Sequence, residues 1–299
     1  MIAAPSCGPS GIGQVLDPPY AVLCSVMPKY LLIVLLLAHV SFAADYQIEG
    51  NIHYDQYPET VLDILQPPSP ALKERPGVIV IHGGGWVQGT KESMVQRFCL
   101  PYTRAGFVVA NVEYRLAAVA TAPAAVNDVL KAAQWFHDHA DKYKVDTKKI
   151  VVTGGSAGGH LALMTGMLPE AAGFGPVTRV AAIVNFFGIT DVADQLQGPN
   201  MRQYAVTWIP EQPNRMDLAR RLSPLTYVRK GLPPVLTIHG DADPTVPYDQ
   251  GVKLTNALKE AHDDAELITI PGGKHGFPPE QMDEIYPKIL KWLKKHKIQ

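Results

Sequence analysis

A β-branched run, Val151-Val152-Thr153, breaks on glycines around one serine, Gly154-Gly155-Ser156-Ala157-Gly158-Gly159-His160, and resumes as Leu161-Ala162-Leu163-Met164. The pattern reads as strand, tight turn, helix. In a G-x-S-x-G elbow the serine stands at the apex of a strained turn, so the residues two before and two after it pass close to neighbouring backbone. Gly154 and Gly158 occupy those positions. Such a turn lifts the Ser156 hydroxyl above a sheet as a nucleophile and sets the Ala157 N–H at a helix N-terminus, where negative charge is favoured. A glycine-rich turn that only packs, or that holds a phosphate, is the competing reading. A dinucleotide fingerprint does not fit, because Ser156 stands where that run needs glycine, and no Lys-Ser/Thr pair follows as a phosphate loop requires.

A serine hydroxyl is a weak nucleophile and needs a base within hydrogen-bond reach, itself oriented by an acid. Two later loops offer both. His239-Gly240-Asp241-Ala242-Asp243-Pro244 follows one apolar run, and Gly272-Gly273-Lys274-His275-Gly276-Phe277 follows another. His275 is the expected base, since nothing apolar immediately before it gives it a packing role. Two aspartates compete for the acid. Asp243 starts the turn that Pro244 fixes and is favoured, whereas Asp241 is better placed to bond loop backbone; His239 ends a strand and is expected to bond locally. A metal reading of His239, Asp241, Asp243 and His275 leaves the elbow unexplained and lacks a compact ligand motif, so no metal is expected. His82-Gly83-Gly84-Gly85-Trp86 closes another apolar run, and its glycines let backbone N–H groups face a site with no Cβ in the way. Gly83, Gly84 and Ala157 are the expected oxyanion donors.

These loops need a scaffold that gathers them. Short alternation from 45 to 66 predicts two antiparallel strands, and Gly77–Ile81, Phe107–Val112, Lys149–Val152, Val180–Phe187, Pro234–His239 and Glu266–Ile270 read as further strands. Helical patterns cover about 91–105, the stretch through Val129 and Phe136, the segment after the elbow, about 253–259 and about 284–295. Strands alternating with helices predict an α/β fold with a mostly parallel sheet covered on both faces. Between Gly188 and Gly231 the alternation stops for a proline-bearing excursion that leaves a strand's C-terminal end. Ligands bind there in open α/β sheets, so this insertion is expected to wall the site, with Trp86 and Trp208 as substrate-pocket residues. The alternative is an excursion that buries Trp208 in its own small core.

With 299 residues and a formal charge of −1, the composition is that of an ordinary globular chain. No extended basic run points to nucleic acid. Lys29, the apolar stretch 30–40 and the small-residue ending Ser41-Phe42-Ala43-Ala44 read as a secretory signal, shorter than the ~20 residues of a membrane span. The expected organisation is a leader or upstream artefact at 1–26, a signal at 27–43 cleaved after Ala43, and a catalytic domain at 44–299. A secreted or periplasmic chain without stable membrane association is expected; a retained N-terminal anchor is the competing reading. Cys7 and Cys24 precede the cut, leaving Cys99 alone, expected as a small core residue rather than a nucleophile.

Taken together, the motifs at 82–86, Tyr114-Arg115-Leu116, 154–159, 239–243 and 275–277 resemble the α/β hydrolase superfamily across nearly all of 45–299. Ser, acid, His is the chain order of that superfamily, and a His-Gly-Gly-Gly loop is its usual source of the second oxyanion donor. More narrowly the chain resembles hormone-sensitive-lipase-like carboxylesterases and the related secreted feruloyl and polysaccharide-acyl esterases. Gly155 stands where the former usually carry an acid, and the mature chain expected from residue 44 leaves no room for their helical cap ahead of the first strands. The resemblance implies a serine carboxylesterase with no cofactor, acting on a small-molecule or polysaccharide-linked ester. A serine peptidase or amidase, and a short-chain lipase-like esterase of general specificity, are the alternatives; a binding module that lost the chemistry is the non-enzyme reading.

Overall fold

The computed structural model describes residues 46–299 apart from Pro70 and Leu72; the expected leader and signal, at 1–26 and 27–43, lie outside the described residues. Eight strands form one sheet: β1 (Gln47–His53), β2 (Val61–Gln66), β3 (Arg75–Ile81), β4 (Val108–Val112), β5 (Val145–Gly155), β6 (Ala182–Phe186), β7 (Val235–Gly240) and β8 (Ala265–Ile270). Their spatial order is β1-β2-β4-β3-β5-β6-β7-β8. The β1–β2 and β2–β4 pairs are antiparallel and every later pair is parallel, giving the expected mostly parallel architecture. β5 is longer than its apolar run suggests, because Val145 and Asp146 pair with Arg75 and Pro76 ahead of an irregularity in the β3–β5 register.

The strand period of two sorts the core into two layers. Along β3, Ile79 and Ile81 pack on one face, with the helices Ala124–Asp138, Ala157–Met167 and Tyr248–Glu260. Val78 and Val80 pack on the other, with Met94, Phe98 and the C-terminal helix Pro279–Lys295. All four β3 side chains are fully buried. This is why the central strands read as continuous apolar runs: each face is covered, and burying one such side chain contributes about 1.5–3 kcal/mol.

One predicted element differs in kind. The stretch 91–105 is not a single α-helix but a 3₁₀ turn (Lys91–Met94), a π-helical turn (Val95–Cys99) and a short α-helix (Leu100–Arg104). Lys91 is drawn inward: its Nζ donates to Asp63 Oδ2 on β2 at 2.9 Å and its N–H to Glu113 Oε2 at 2.9 Å. Cys99 is buried, and burial pushes its thiol well above the ordinary range. Among the described residues no large helical cap precedes the strands, and no helix is long and apolar enough to cross a membrane.

Parallel strands carry their C-terminal ends to one edge, so the loops after β3, β5, β6, β7 and β8 meet there. Those loops hold every candidate residue.

Candidate active site

Ser156 sits between β5 and the helix Ala157–Met167 at φ 59° and ψ −123°, a conformation that L-residues rarely adopt. Its N–H donates to the Phe186 carbonyl at 2.9 Å, which ties the strained turn to β6. The turn closes only because it lacks side chains. A Cβ at Gly154 would lie 2.6 Å from the Gly158 carbonyl carbon, and one at Gly158 would lie 2.1 Å from the Ile81 carbonyl oxygen. Both expected glycine positions are therefore steric necessities here.

His275, after β8, brings Nε2 to 2.9 Å from Ser156 Oγ. Its Nδ1 lies 2.7 Å from Asp243 Oδ2. The remaining carboxylate oxygen, Oδ1, accepts the N–H groups of Thr245 at 2.8 Å and Val246 at 3.0 Å, so the turn begun by Pro244 wraps around the acid it carries. Asp241, the competing acid, instead accepts the Gly272 N–H at 2.6 Å and braces the loop that bears His275. Among the described residues no group of three or more His, Cys, Asp or Glu is placed to hold a metal ion.

Burial by itself would push the Asp243 carboxyl up, but contacts from His239 and His275 and the Thr245 N–H outweigh it and hold the group well below the usual carboxylate range. The sign follows from linkage. A carboxylate with a lowered folded value stabilises the fold fully above its unfolded value of about 3.9, and that contribution is lost as pH falls toward the folded value. Asp243→Asn is therefore expected to show its full stability deficit at pH 5–8, and the deficit is expected to shrink below about pH 4. Urea unfolding of both proteins from pH 3 to 8 reads it.

The Gly83 backbone crosses directly over the elbow: a Cβ there would lie 2.7 Å from the Gly155 carbonyl oxygen and 3.5 Å from Ser156 Cβ. Ala157 opens its helix, where the first N–H groups have no intrahelical acceptor. Among the described residues the N–H groups of Gly83, Gly84 and Ala157 donate to no backbone or side-chain acceptor, as donors awaiting an oxyanion would. Behind the loop, the His82 ring stacks on Tyr114 at 4.2 Å and reaches Glu113 Oε1 at 2.7 Å, which fixes the root of the glycine run.

Trp86 and Trp208 do not line the pocket. Both are fully buried and stack on each other at 4.0 Å and 11°. Trp86 Nε1 donates to His160 Nδ1 at 3.2 Å, and His160 Nε2 donates to the Leu222 carbonyl at 2.7 Å. Burial lowers His160 to about 4, which keeps the ring neutral and able to accept that bond. The stacked indoles and His160 thus rivet together three segments: the loop after β3, the helix Ala157–Met167 and the excursion. Indoles serve here because two stacked bicyclic rings fill the buried space between these segments. Trp208→Ala is expected to cost about 3–5 kcal/mol of stability, read as a lowered urea midpoint.

The excursion still walls the site, with other residues. A cleft of about 350 Å³ opens over Ser156 and His275, lined on its sides by Val87, Met94, Phe98, Phe187, Tyr204 and Thr245. Tyr204 belongs to the short helix Gln203–Trp208, and its hydroxyl donates to Gln195 Oε1 at 2.8 Å. Burial raises that hydroxyl to about 12. Beside it Arg202 donates to the Thr245 carbonyl at 2.9 Å and the Pro244 carbonyl at 3.0 Å, clamping the acid's turn. Phe187, at φ 39° just past β6, packs its ring 4.8 Å from the His275 ring. Three of these carry no local signature in the sequence: Arg202 and Tyr204 fall in an irregular stretch and Met94 in a helical pattern. The aromatic pair Phe186-Phe187 at a strand's C-terminal end was the one available signal.

This geometry joins a nucleophile, an imidazole, a buried carboxylate and free backbone donors in one apolar cleft. A family model described as BD-FAE matches residues 62–258, a span that includes both the elbow and Asp243. The chain belongs to the BD-FAE family. Similar proteins carry esterase names. The BD-FAE chain is 29% identical to a probable carboxylic ester hydrolase, LipM, of Mycobacterium tuberculosis, over 78% of this chain and 57% of that protein. It is 28% identical to an ethyl acetate hydrolase of Pseudomonas putida, over 78% of this chain and 77% of that protein. Among solved structures, a truncated carbohydrate esterase from gut microbiota superposes with a TM-score of 0.75 at 27% identity, covering 85% of this BD-FAE chain and 98% of that one. The fold is that of the α/β hydrolases. The chain spans little more than half the length of the first curated relatives it matches.

Proposed function

We propose that this BD-FAE chain is a serine carboxylic ester hydrolase working through an acyl-enzyme. The observation that carries the reading is the unbroken relay from Ser156 Oγ to His275 Nε2 at 2.9 Å and from His275 Nδ1 to Asp243 Oδ2 at 2.7 Å. Ser156 Oγ attacks the ester carbonyl carbon while His275 Nε2 takes the hydroxyl proton. The carbonyl oxygen becomes an oxyanion held by the N–H groups of Gly83, Gly84 and Ala157. His275 returns the proton to the leaving alcohol as the C–O bond breaks, which leaves an acyl group on Ser156. Water, deprotonated by the same imidazole, releases the carboxylic acid and restores the serine. Asp243 holds the imidazole with Nε2 facing the serine and stabilises the imidazolium of each transfer.

The substrates are acetyl or feruloyl esters carried by plant polysaccharide. Supporting this are the cleft's apolar walls, Met94, Phe98 and Phe187, and the likeness to a protein titled a carbohydrate esterase. Residues 27–43 act as a secretory signal, so that 44–299 is the exported catalytic domain, free of the membrane. A panel of p-nitrophenyl acetate, p-nitrophenyl palmitate, methyl ferulate, acetylated xylan and a p-nitroanilide tests the reading. The acetyl and feruloyl esters are expected to turn over at least tenfold faster than the palmitate and the anilide. Preference for the anilide would make the protein an amidase, and preference for the palmitate a lipase.

A further inference from the structure

The mechanism above uses one histidine at the acid, yet the structure puts two there. His239, the penultimate residue of β7, is fully buried. Its Nε2 lies 3.1 Å from the Val246 carbonyl and 3.4 Å from Asp243 Oδ2, the same oxygen that receives His275. Resting on the proposed Ser156–His275–Asp243 relay, we infer that His239 is a positioning residue whose Nε2–H supports Asp243 Oδ2 and aims it at His275.

Three observations converge on this role. The first is the tautomer. A carbonyl oxygen only accepts, so the Nε2 beside Val246 carries the proton, and this protonated edge of the ring is the one 3.4 Å from the carboxylate. On the other side of the ring, Nδ1 has no partner, and a Cβ on Gly251 would lie 2.8 Å from it. The start of the helix Tyr248–Glu260 closes that side, so a proton on Nδ1 would face no acceptor.

The second is the carboxylate's own requirement. An ionised aspartate offers about four acceptor positions, and one buried without solvent needs them met. Thr245 and Val246 fill two on Oδ1 and His275 fills one on Oδ2. His239 Nε2, 3.4 Å from Oδ2, is the donor nearest the fourth. The third is placement. The Phe187 ring packs against both imidazoles, with centroids 4.8 Å from His275 and 6.5 Å from His239. Displacing His239 therefore loosens the carboxylate and the base's packing partner together. For fixing a strand end alone, an apolar side chain would do as well and would leave no ring nitrogen unpartnered.

The test is a double-mutant cycle on p-nitrophenyl acetate, with folding of each variant checked by circular dichroism. His239→Leu and His239→Phe remove the donor, the second keeping the ring's bulk, and His239→Gln restores an N–H at similar reach. Both donorless variants are expected to lose about 10–100-fold in kcat with KM changed less than about twofold, and His239→Gln to recover most of the loss. In an Asp243→Asn background the same substitutions are expected to change kcat less than about threefold, because the oxygen they act through is gone. Equal losses in both backgrounds, no loss in a folded His239→Phe, or a His239→Gln no better than His239→Leu would overturn the inference. Should the donorless variants not fold, imidazole nitrogen NMR of the wild type decides: a proton on His239 Nε2 with Nδ1 bare supports the role, and the reverse tautomer ends it. Failure of the relay itself looks different, since Asp243→Asn alone would then leave kcat unchanged.

Discussion

Ser156→Ala is expected to lower kcat for p-nitrophenyl acetate by about 10⁴–10⁶ while leaving the fold and KM nearly intact. The size of the loss follows from what remains. Without Oγ no acyl-enzyme forms, and the residual rate comes from water attacking an ester bound beneath the Gly83, Gly84 and Ala157 donors. The fold is expected to tolerate the change because Ser156 makes its structural contact through its backbone, the N–H to the Phe186 carbonyl. Removing Oγ also releases the strained φ of 59° from no constraint, since alanine has the same Cβ. Initial-rate kinetics beside a thermal melt separate the two effects. A rate within tenfold of wild type would mean that another group attacks the ester.

Gly158→Ala is expected to damage both the fold and the site with a single methyl group. The added Cβ would stand 2.1 Å from the Ile81 oxygen and 2.6 Å from the His82 oxygen, both backbone atoms that no rotamer change can move aside. Either the helix Ala157–Met167 lifts from β3, or the strand end carrying His82 and Gly83 shifts. Overpacking of this kind costs about 3 kcal/mol or more when backbone is the obstacle. The functional loss adds to it. A shift at residues 82–83 moves the proposed oxyanion donor Gly83, and losing one such donor lowers kcat by about 10²–10³. A lowered urea midpoint together with that rate loss in the remaining folded protein is the expected result. By contrast, Trp208→Ala removes bulk from behind the loop and is expected to act mainly on stability.

The two substitutions also mark what a sequence discloses. The elbow was legible because its demands are local: a nucleophile at a strand–helix turn tolerates no Cβ two residues away on either side, so the glycines must appear in the chain itself. The central strands were legible for a related reason. Burial on both faces leaves no polar alternation, and a run such as Val78–Ile81 has no other stable place. Loop order then brought Asp243 and His275 to the same edge as Ser156, because parallel strands leave little choice. The buried placement of Trp86 and Trp208 is not legible, because an indole after a glycine run or in an irregular excursion looks the same whether it faces a cleft or fills a void, and their 4.0 Å stack joins distant segments. Tyr204 and Arg202 sit in an irregular stretch whose path depends on that stack. The reach of His239 to Asp243 depends on how the turn through Pro244 and Val246 folds back, which no spacing rule records. Long-range packing, rather than local chemistry, is what the chain kept hidden.

The central claim is that the hydroxyl of Ser156 becomes covalently bonded during turnover. Treating the wild-type protein with a fluorophosphonate and mapping the adduct by peptide mass spectrometry tests it directly. One adduct per chain is expected, on the peptide bearing Ser156, rising in step with the loss of ester hydrolysis and forming far more slowly in His275→Ala. Complete loss of hydrolysis with Ser156 unmodified, or an adduct at another residue, would contradict the account.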